Sequence, residues 1–471
     1  MKSIKFFVLL LAILSIATFF FITNSHALKD AAKSIFKKYV PIYTQQDLDE
    51  SNEKLKNYLS ADFFVSLTAI QSKVEDLKLL MDDALLNFQF NDLDFSLKTF
   101  SAPFLKYKGT FDTQGTSYLE VFQDDIFVMQ ENGLLFALSK KALLASQTNI
   151  PVRKIDTNFH DFIDYYEFYN ASKFGIKDIK IVENALYVSS TVQVKPNCFS
   201  ISIFRGIIQE NSISFEKFFE PKSCVTRSKE LEFNAHQTGG RIIEYNNKIA
   251  ISLGDFRQRN LAQDLQSDYG KILVIDPSDL SSEILIMGTR NAQGLFYDKA
   301  NEILISSEHG PYGGDELNII ELNDNSEIAN LGWPISSYGG HYDYSYYGNQ
   351  GELIEKRKSK IYKDFPLYKS HNNYGFIEPA DFFVPSLGTS EVIIFDAAPD
   401  KKILILGTMG NNTNLIDDDL SLIMYTYDKG KISNKKVFRV NERVRDIVHL
   451  DNESLLIMLE STGKIGKISI N

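Results

Sequence analysis

The sequence predicts an all-β protein, a β-propeller preceded by a helical extension, and three observations predict it. From residue 109 onward, short apolar runs alternate with turn residues and no helical period intervenes. That texture persists for about 360 residues, longer than a usual sandwich, and blades of about 40–50 residues would divide it into six to eight. The 471-residue chain is 44% hydrophobic and 13% aromatic, enough to build a large core.

Residues 1–27 begin with Lys2 and Lys5 and continue through an apolar run, 6–22, broken only by Ser15 and Thr18, to Ser25-His26-Ala27. A basic start, an apolar stretch and a small-x-small ending form an export signal, which places the protein in the periplasm or on the periplasmic face of the inner membrane. The run is long for a cleaved signal peptide and short for a spanning helix, so cleavage and membrane anchoring both stay open, as does a buried core helix. Residues 28–108 carry apolar positions three and four apart among charges, as in 74–80, and are expected to form a helical extension that serves as a spacer, a partner-binding pair or a packing cap.

Residues 109–471 form the expected propeller domain. Apolar runs at 126–129 and 134–138 flank Asn132-Gly133, a hairpin signal. The same rhythm returns at 248–253, 271–275, 302–306, 391–395, 402–406, 421–427 and 454–459. The two cysteines, Cys198 and Cys224, are either a disulfide or two buried thiols, and no CxxC or Cys/His cluster points to zinc or haem. Carboxylates outnumber Lys and Arg by 61 to 50, which argues against a nucleic-acid partner.

Three places carry chemistry. His236, in Asn234-Ala235-His236-Gln237-Thr238-Gly239-Gly240-Arg241, lies just ahead of an apolar strand. Glycines permit tight backbone beside an imidazole, which can serve as a general base, although a turn-capping histidine has the same local pattern. Further on, Gly288-Thr289-Arg290-Asn291-Ala292-Gln293-Gly294-Leu295 is followed by Ser307-Glu308-His309-Gly310-Pro311, by Gly314-Asp315-Glu316-Leu317-Asn318, and by Leu331-Gly332-Trp333-Pro334 with the chain's only tryptophan.

In this order and spacing, those blocks resemble the aldose sugar dehydrogenases of the glucose/sorbosone dehydrogenase family. Gly254-Asp255, Ala262-Gln263-Asp264-Leu265 and Gly270-Lys271 extend the resemblance, which runs from about residue 174 to the C-terminus. It implies a six-bladed propeller that holds pyrroloquinoline quinone (PQQ) with calcium and oxidises a sugar substrate at the anomeric carbon, passing electrons to an external acceptor. His236 would then be the base, Arg290 and Asn291 the pair beside the reactive carbonyl, and the Gly310 and Pro311 carbonyls the calcium ligands.

The third place is Asn441-Glu442-Arg443-Val444-Arg445-Asp446. On a strand, Arg443 and Arg445 share a face and repel unless an anion lies between them. A tricarboxylate quinone is such an anion, and two separate surface salt bridges are the alternative. This chain departs from the glucose-oxidising members at Ala235, where they carry an acid. It departs again at Gly407-Thr408-Met409-Gly410-Asn411-Asn412, where they carry a lysine, and near Lys173, where they carry a glutamine. Lys173 could replace the missing cation at the quinone. Tyr338 to Tyr347 could form a sugar-stacking rim or a packed loop. The rival function is a propeller that binds a sugar or a protein without turnover, and fold alone does not separate the two.

Overall fold

The computed structural model describes residues 77–108, 113–164, 167–168, 174–228, 231–322, 328–341, 360–410 and 419–471. Within them the chain folds into six blades. The first comprises Ser117–Phe122, Asp125–Gln130, Leu135–Ser139 and Asn149–Thr157. The second is Ile176–Val182, Ala185–Lys195, Cys198–Ile207 and Phe215–Phe219. Blade three holds Gly239–Tyr245, Lys248–Leu253, Lys271–Ile275 and Ser282–Met287, and blade four Ala292–Asp298, Ile303–Glu308, Asp315–Glu321 and Asp381–Phe383. Blade five is Thr389–Ala398, Lys401–Thr408, Ser421–Asp428 and Lys431–Arg439. All neighbours within these blades are antiparallel.

The sixth blade closes the ring. Val444–His449, Ser454–Leu459 and Lys464–Ile470 come from the C-terminus, and the fourth strand, Leu93–Ser101, comes from the other end of the chain. Pairing the two ends converts exposed edges into a ladder. The innermost strand of each blade packs on that of the next, and Val444–His449 returns to Ser117–Phe122. Because neighbouring blades cover both faces of each sheet, the middle strands are apolar without alternation, as in Lys248–Leu253, where every residue after Lys248 is buried. Cores lie between blades, for example Ile203, Phe199, Ile251 and Leu273 between blades two and three.

The expected helical extension is corrected from Lys78 onward. Lys78–Phe90 is a strand paired along Leu93–Ser101, and Lys78, Leu79 and Leu80 also pair with Asn149–Thr157 of blade one. Asn91 and Asp92 have positive φ (50° and 61°), so they make the tight two-residue turn that hairpins favour. The apolar spacing that reads as helix is overridden by tertiary pairing: Leu79, Phe95 and Phe100 are buried between strands. Residues 28–76, and the expected signal or anchor at 1–27, lie outside the described residues. No helix among the described residues is long and apolar enough to cross a membrane.

Cys198 and Cys224 are joined in a disulfide with Cα atoms 5.4 Å apart, alongside the pairing of Cys198 and Phe199 with Thr226 and Val225. Closing a loop of about 25 residues contributes about 3 kcal/mol through the unfolded state.

Candidate functional site

Those sequence-selected residues that are described lie at one end of the blades, next to where the innermost strands Gly239–Tyr245, Ala292–Asp298 and Val444–His449 begin. His236 is exposed in the turn that feeds Gly239–Tyr245. Asn234 builds that turn: its Oδ1 accepts the His236 N–H at 2.9 Å and its carbonyl accepts the Gln237 N–H at 3.1 Å. The Gly239 N–H then donates to Asn291 Oδ1 at 2.9 Å, which ties the His236 turn of blade three to the start of blade four.

Arg290 and Asn291 are 3% and 2% exposed. The Arg290 N–H donates to Glu308 Oε2 at 2.8 Å, and its Nη1 to the His309 carbonyl at 2.5 Å. Burial pushes the Glu308 carboxyl up to about 8. Trp333 lies against the Arg290 guanidinium, 5.4 Å from ring centroid, and its indole N–H donates to Asp255 Oδ2 at 2.8 Å. Asp255 in turn donates its backbone N–H to the Arg290 carbonyl at 3.0 Å, so the Gly-Asp and Gly-Trp-Pro blocks both support Arg290.

Asp315 shapes the loop carrying Gly310 and Pro311. Fully buried, its carboxylate accepts N–H groups from Gly310 (3.0 Å), Leu387 (3.1 Å), Gly388 (2.6 Å) and Thr389 (3.2 Å), and the Ser386 hydroxyl. The loop folds back so closely that a Cβ on Gly310 would meet the Gly314 carbonyl at 1.7 Å, and only glycine fits there. Among the described residues, neither the Gly310 nor the Pro311 carbonyl accepts a hydrogen bond. His309 Nε2 lies 2.6 Å from the Thr389 carbonyl, and burial lowers its pKa.

Arg443, which precedes the strand Val444–His449, and Arg445, where its pairing slips, converge on one anion, and it is a protein carboxylate. Glu460 accepts from Arg443 Nε at 3.0 Å and from Arg445 Nε. Burial alone would raise the Glu460 carboxyl, but Arg445 and Arg443 hold it down at about 2. Arg443 also donates to the Met409 carbonyl at 2.6 Å, so it leans into the loop that follows Gly407. Its side chain stays 30% exposed. A further cation, Lys177 of blade two, pairs with Glu131 at 3.4 Å, and burial lowers its pKa.

Beneath this mouth Arg241 crosses the axis. Its Nη1 lies 2.9 Å from Asp178, 2.7 Å from Glu391 and 2.7 Å from Asp446, one carboxylate each from blades two, five and six. Burial pushes Asp178 up to about 7. On the side of these carboxylates runs a channel of about 340 Å³ lined by Glu120, Lys180, Tyr297 and His449 among others. None of the sequence-selected residues lines it.

Gln293 donates its Nε2 to Asn291 Oδ1 at 3.0 Å and accepts from Arg445 Nη1 at 3.3 Å, so one hydrogen-bonded assembly joins Asn291, Arg445 and, across Glu460, Arg443; Gly239 brings in the His236 turn, and Arg290 the His309 carbonyl. Lys173 lies outside the described residues, as do Asn411, Asn412 and the Tyr-rich segment beyond His341. Within that segment Tyr338 is packed, stacked on Phe382 with centroids 3.7 Å apart. Sequence reasoning missed Glu460, Lys177, Arg241 and Gln293. Gln293 and Arg241 had a local signal, because they fall inside the Arg290 and His236 blocks.

A family model described as Glucose / Sorbosone dehydrogenase matches residues 125–467. Among curated proteins, the chain is 25% identical over 249 residues to the aldose sugar dehydrogenase YliI of Escherichia coli (strain K12), covering 49% of this chain and 59% of that protein. It is 24% identical over 294 residues to quinoprotein glucose dehydrogenase B of Acinetobacter calcoaceticus, covering 49% and 60%. The chain therefore spans about six tenths of the length of these two relatives. Among solved structures, the apo-form of the soluble aldose sugar dehydrogenase from Escherichia coli superposes with a TM-score of 0.55 at 18% identity, covering 75% of this chain and 95% of that one. The PQQ-bound form of aldose sugar dehydrogenase from Streptomyces coelicolor gives 0.52 at 14% identity, covering 80% and 98%. These two likenesses establish the fold.

Proposed function

Because the chain belongs to the glucose/sorbosone dehydrogenase family, we propose that it oxidises an aldose sugar or a related alcohol, with PQQ and calcium held at the mouth described above. The observation that carries the reading is the convergence of the turn that bears exposed His236, an arginine pair and the Arg290-Asn291 pair on one hydrogen-bonded assembly. The donor set fits the quinone: Asn291 Nδ2 is not hydrogen-bonded among the described residues, and the Arg443 side chain is half-buried with 30% of its surface exposed. Calcium prefers oxygen ligands, and the Gly310 and Pro311 carbonyls offer two that no described donor uses.

When bound, PQQ supplies the two-electron acceptor that no side chain can provide. The chain's residues do the rest. His236 takes the hydroxyl proton of the substrate; Arg290, fixed by Glu308, His309 and Trp333, presents a permanent cation where negative charge develops. Arg443 and Arg445 would hold carboxylates of the cofactor, and Lys173 is proposed to add a cation for it. An external acceptor must then remove the electrons.

Isothermal calorimetry on the purified apoprotein tests the cofactor assignment. Binding of PQQ only when calcium is present, with an absorbance change on adding an aldose, is the expected result. No calcium-dependent binding to the folded protein would remove the dehydrogenase reading and leave a propeller that binds a sugar or protein without turnover, a reading favoured by Glu460, which already pairs with both arginines, and by Ala235 beside His236.

Export to the periplasm, free or anchored to the inner membrane, is part of the same proposal. Lys2, Lys5 and the apolar run support it, and so does the Cys198–Cys224 disulfide, since such bonds persist in oxidising compartments. In spheroplasts, protease added outside should digest the protein; a protected cytoplasmic product would reject export.

A further inference from the structure

We infer that Gln293 is a positioning residue of this site: it sets the orientation of the Asn291 amide and couples it to Arg445. The inference rests on the role proposed above for Asn291.

The polarity of the connection is dictated at both ends by groups that can only donate. A peptide N–H, that of Gly239, faces Asn291, so the atom meeting it at 2.9 Å must be the oxygen, Oδ1. A guanidinium, that of Arg445, faces Gln293 at 3.3 Å, so the atom meeting it must be Oε1. Gln293 therefore turns its Nε2 toward Asn291 and donates to the same Oδ1 at 3.0 Å. With two donors on Oδ1, the Asn291 amide cannot turn over without placing N–H against N–H. Its Nδ2, with two protons to donate, is held facing away from Gly239.

The backbone is built to deliver Gln293 to this place. Register slips between Ala292↔Glu308 and Gly294↔Ser307, so Gln293 is the extra residue of a β-bulge, a device that re-aims a side chain. Gly294 follows because a Cβ there would lie 2.4 Å from the Ser390 carbonyl of blade five. Arg241 then pins both partners from beneath: its Nε donates to the Gln293 carbonyl at 2.9 Å and its Nη2 to the Arg445 carbonyl at 3.3 Å. The guanidinium that crosses the axis thus fixes the two backbones whose side chains meet above it.

The test uses Gln293→Glu and Gln293→Leu in the full chain. Glutamate keeps the length and the acceptor for Arg445 but has no proton for Asn291, and leucine lacks both functions. In protein with ¹⁵N-labelled asparagine, the Asn291 side-chain amide is identified by its loss in Asn291→Asp. That signal should move in Gln293→Glu, in apoprotein as well as with PQQ and calcium. Where wild type turns over, kcat should fall by about 10²-fold in both variants, the scale expected for a displaced positioning group, with KM for the aldose within about threefold. An unmoved Asn291 amide in Gln293→Glu overturns the inference, whether or not PQQ binds. Because the amide reads out without cofactor, failure of the quinone assignment and failure of the Gln293 role are separately visible. Should Gln293→Leu not fold, Gln293→Glu alone decides.

Discussion

His236→Ala should abolish dye-linked aldose oxidation while the thermal unfolding midpoint stays that of wild type. The imidazole is exposed, and the turn that carries it is held by backbone groups and by Asn234 Oδ1, not by the ring's burial in a core. Its removal therefore takes away a proton acceptor and little packing. Loss of a general base costs at least about 10²-fold in turnover. The measurement is the steady-state rate with PQQ and calcium saturating, over a panel of aldoses. A rate within a few-fold of wild type would assign His236 to the turn alone.

The second large effect is expected from changing Arg443 and Arg445 together to Gln. Charge-assisted hydrogen bonds to a carboxylated ligand contribute about 1.5–3 kcal/mol each, so PQQ affinity should fall by about two orders of magnitude or more. The shared partner complicates the simple substitution: without the arginines, Glu460 is left as a buried carboxylate with its main cations gone. Adding Glu460→Gln removes that charge, and the comparison of the double and triple variants separates ligand binding from the internal ion pair. If the triple variant, folded, binds PQQ as tightly as Glu460→Gln alone by calorimetry, the arginines serve only Glu460 and the cofactor lies elsewhere.

Several features of this protein were legible because they are local. The continuous apolar runs from residue 126 to residue 459 became blade strands almost residue for residue, since a sheet covered on both faces selects β-branched and aliphatic residues at every position. The Asn132-Gly133 turn formed where it was read, with Gly133 at φ 94°. Arg443 and Arg445 do converge on one anion, although Arg443 precedes the strand Val444–His449 and the pairing slips between Val444 and Asp446, so a strand's alternation is not what brings them together. The order and spacing of the Arg290, Gly310 and Trp333 blocks resembled those of the family, and the family model that matches residues 125–467 bears the resemblance out.

What only the tertiary structure decided is whatever depends on residues far apart in sequence. The segment 78–101 carries a helix-like spacing, yet it is strand, because the open edge of the last blade, more than 360 residues away, offers a ladder that its local propensity cannot outweigh. Whether Cys198 and Cys224 bond was open in the sequence and was settled by the pairing of Val225 and Thr226 with blade two. Glu460 and Gln293 illustrate the same limit at the site. Gln293 lies inside a block that the sequence marks, yet its link to Arg445, 152 residues away, forms only when blades four and six meet around the axis, and Glu460 meets Arg443 and Arg445 only once two strands of blade six pair.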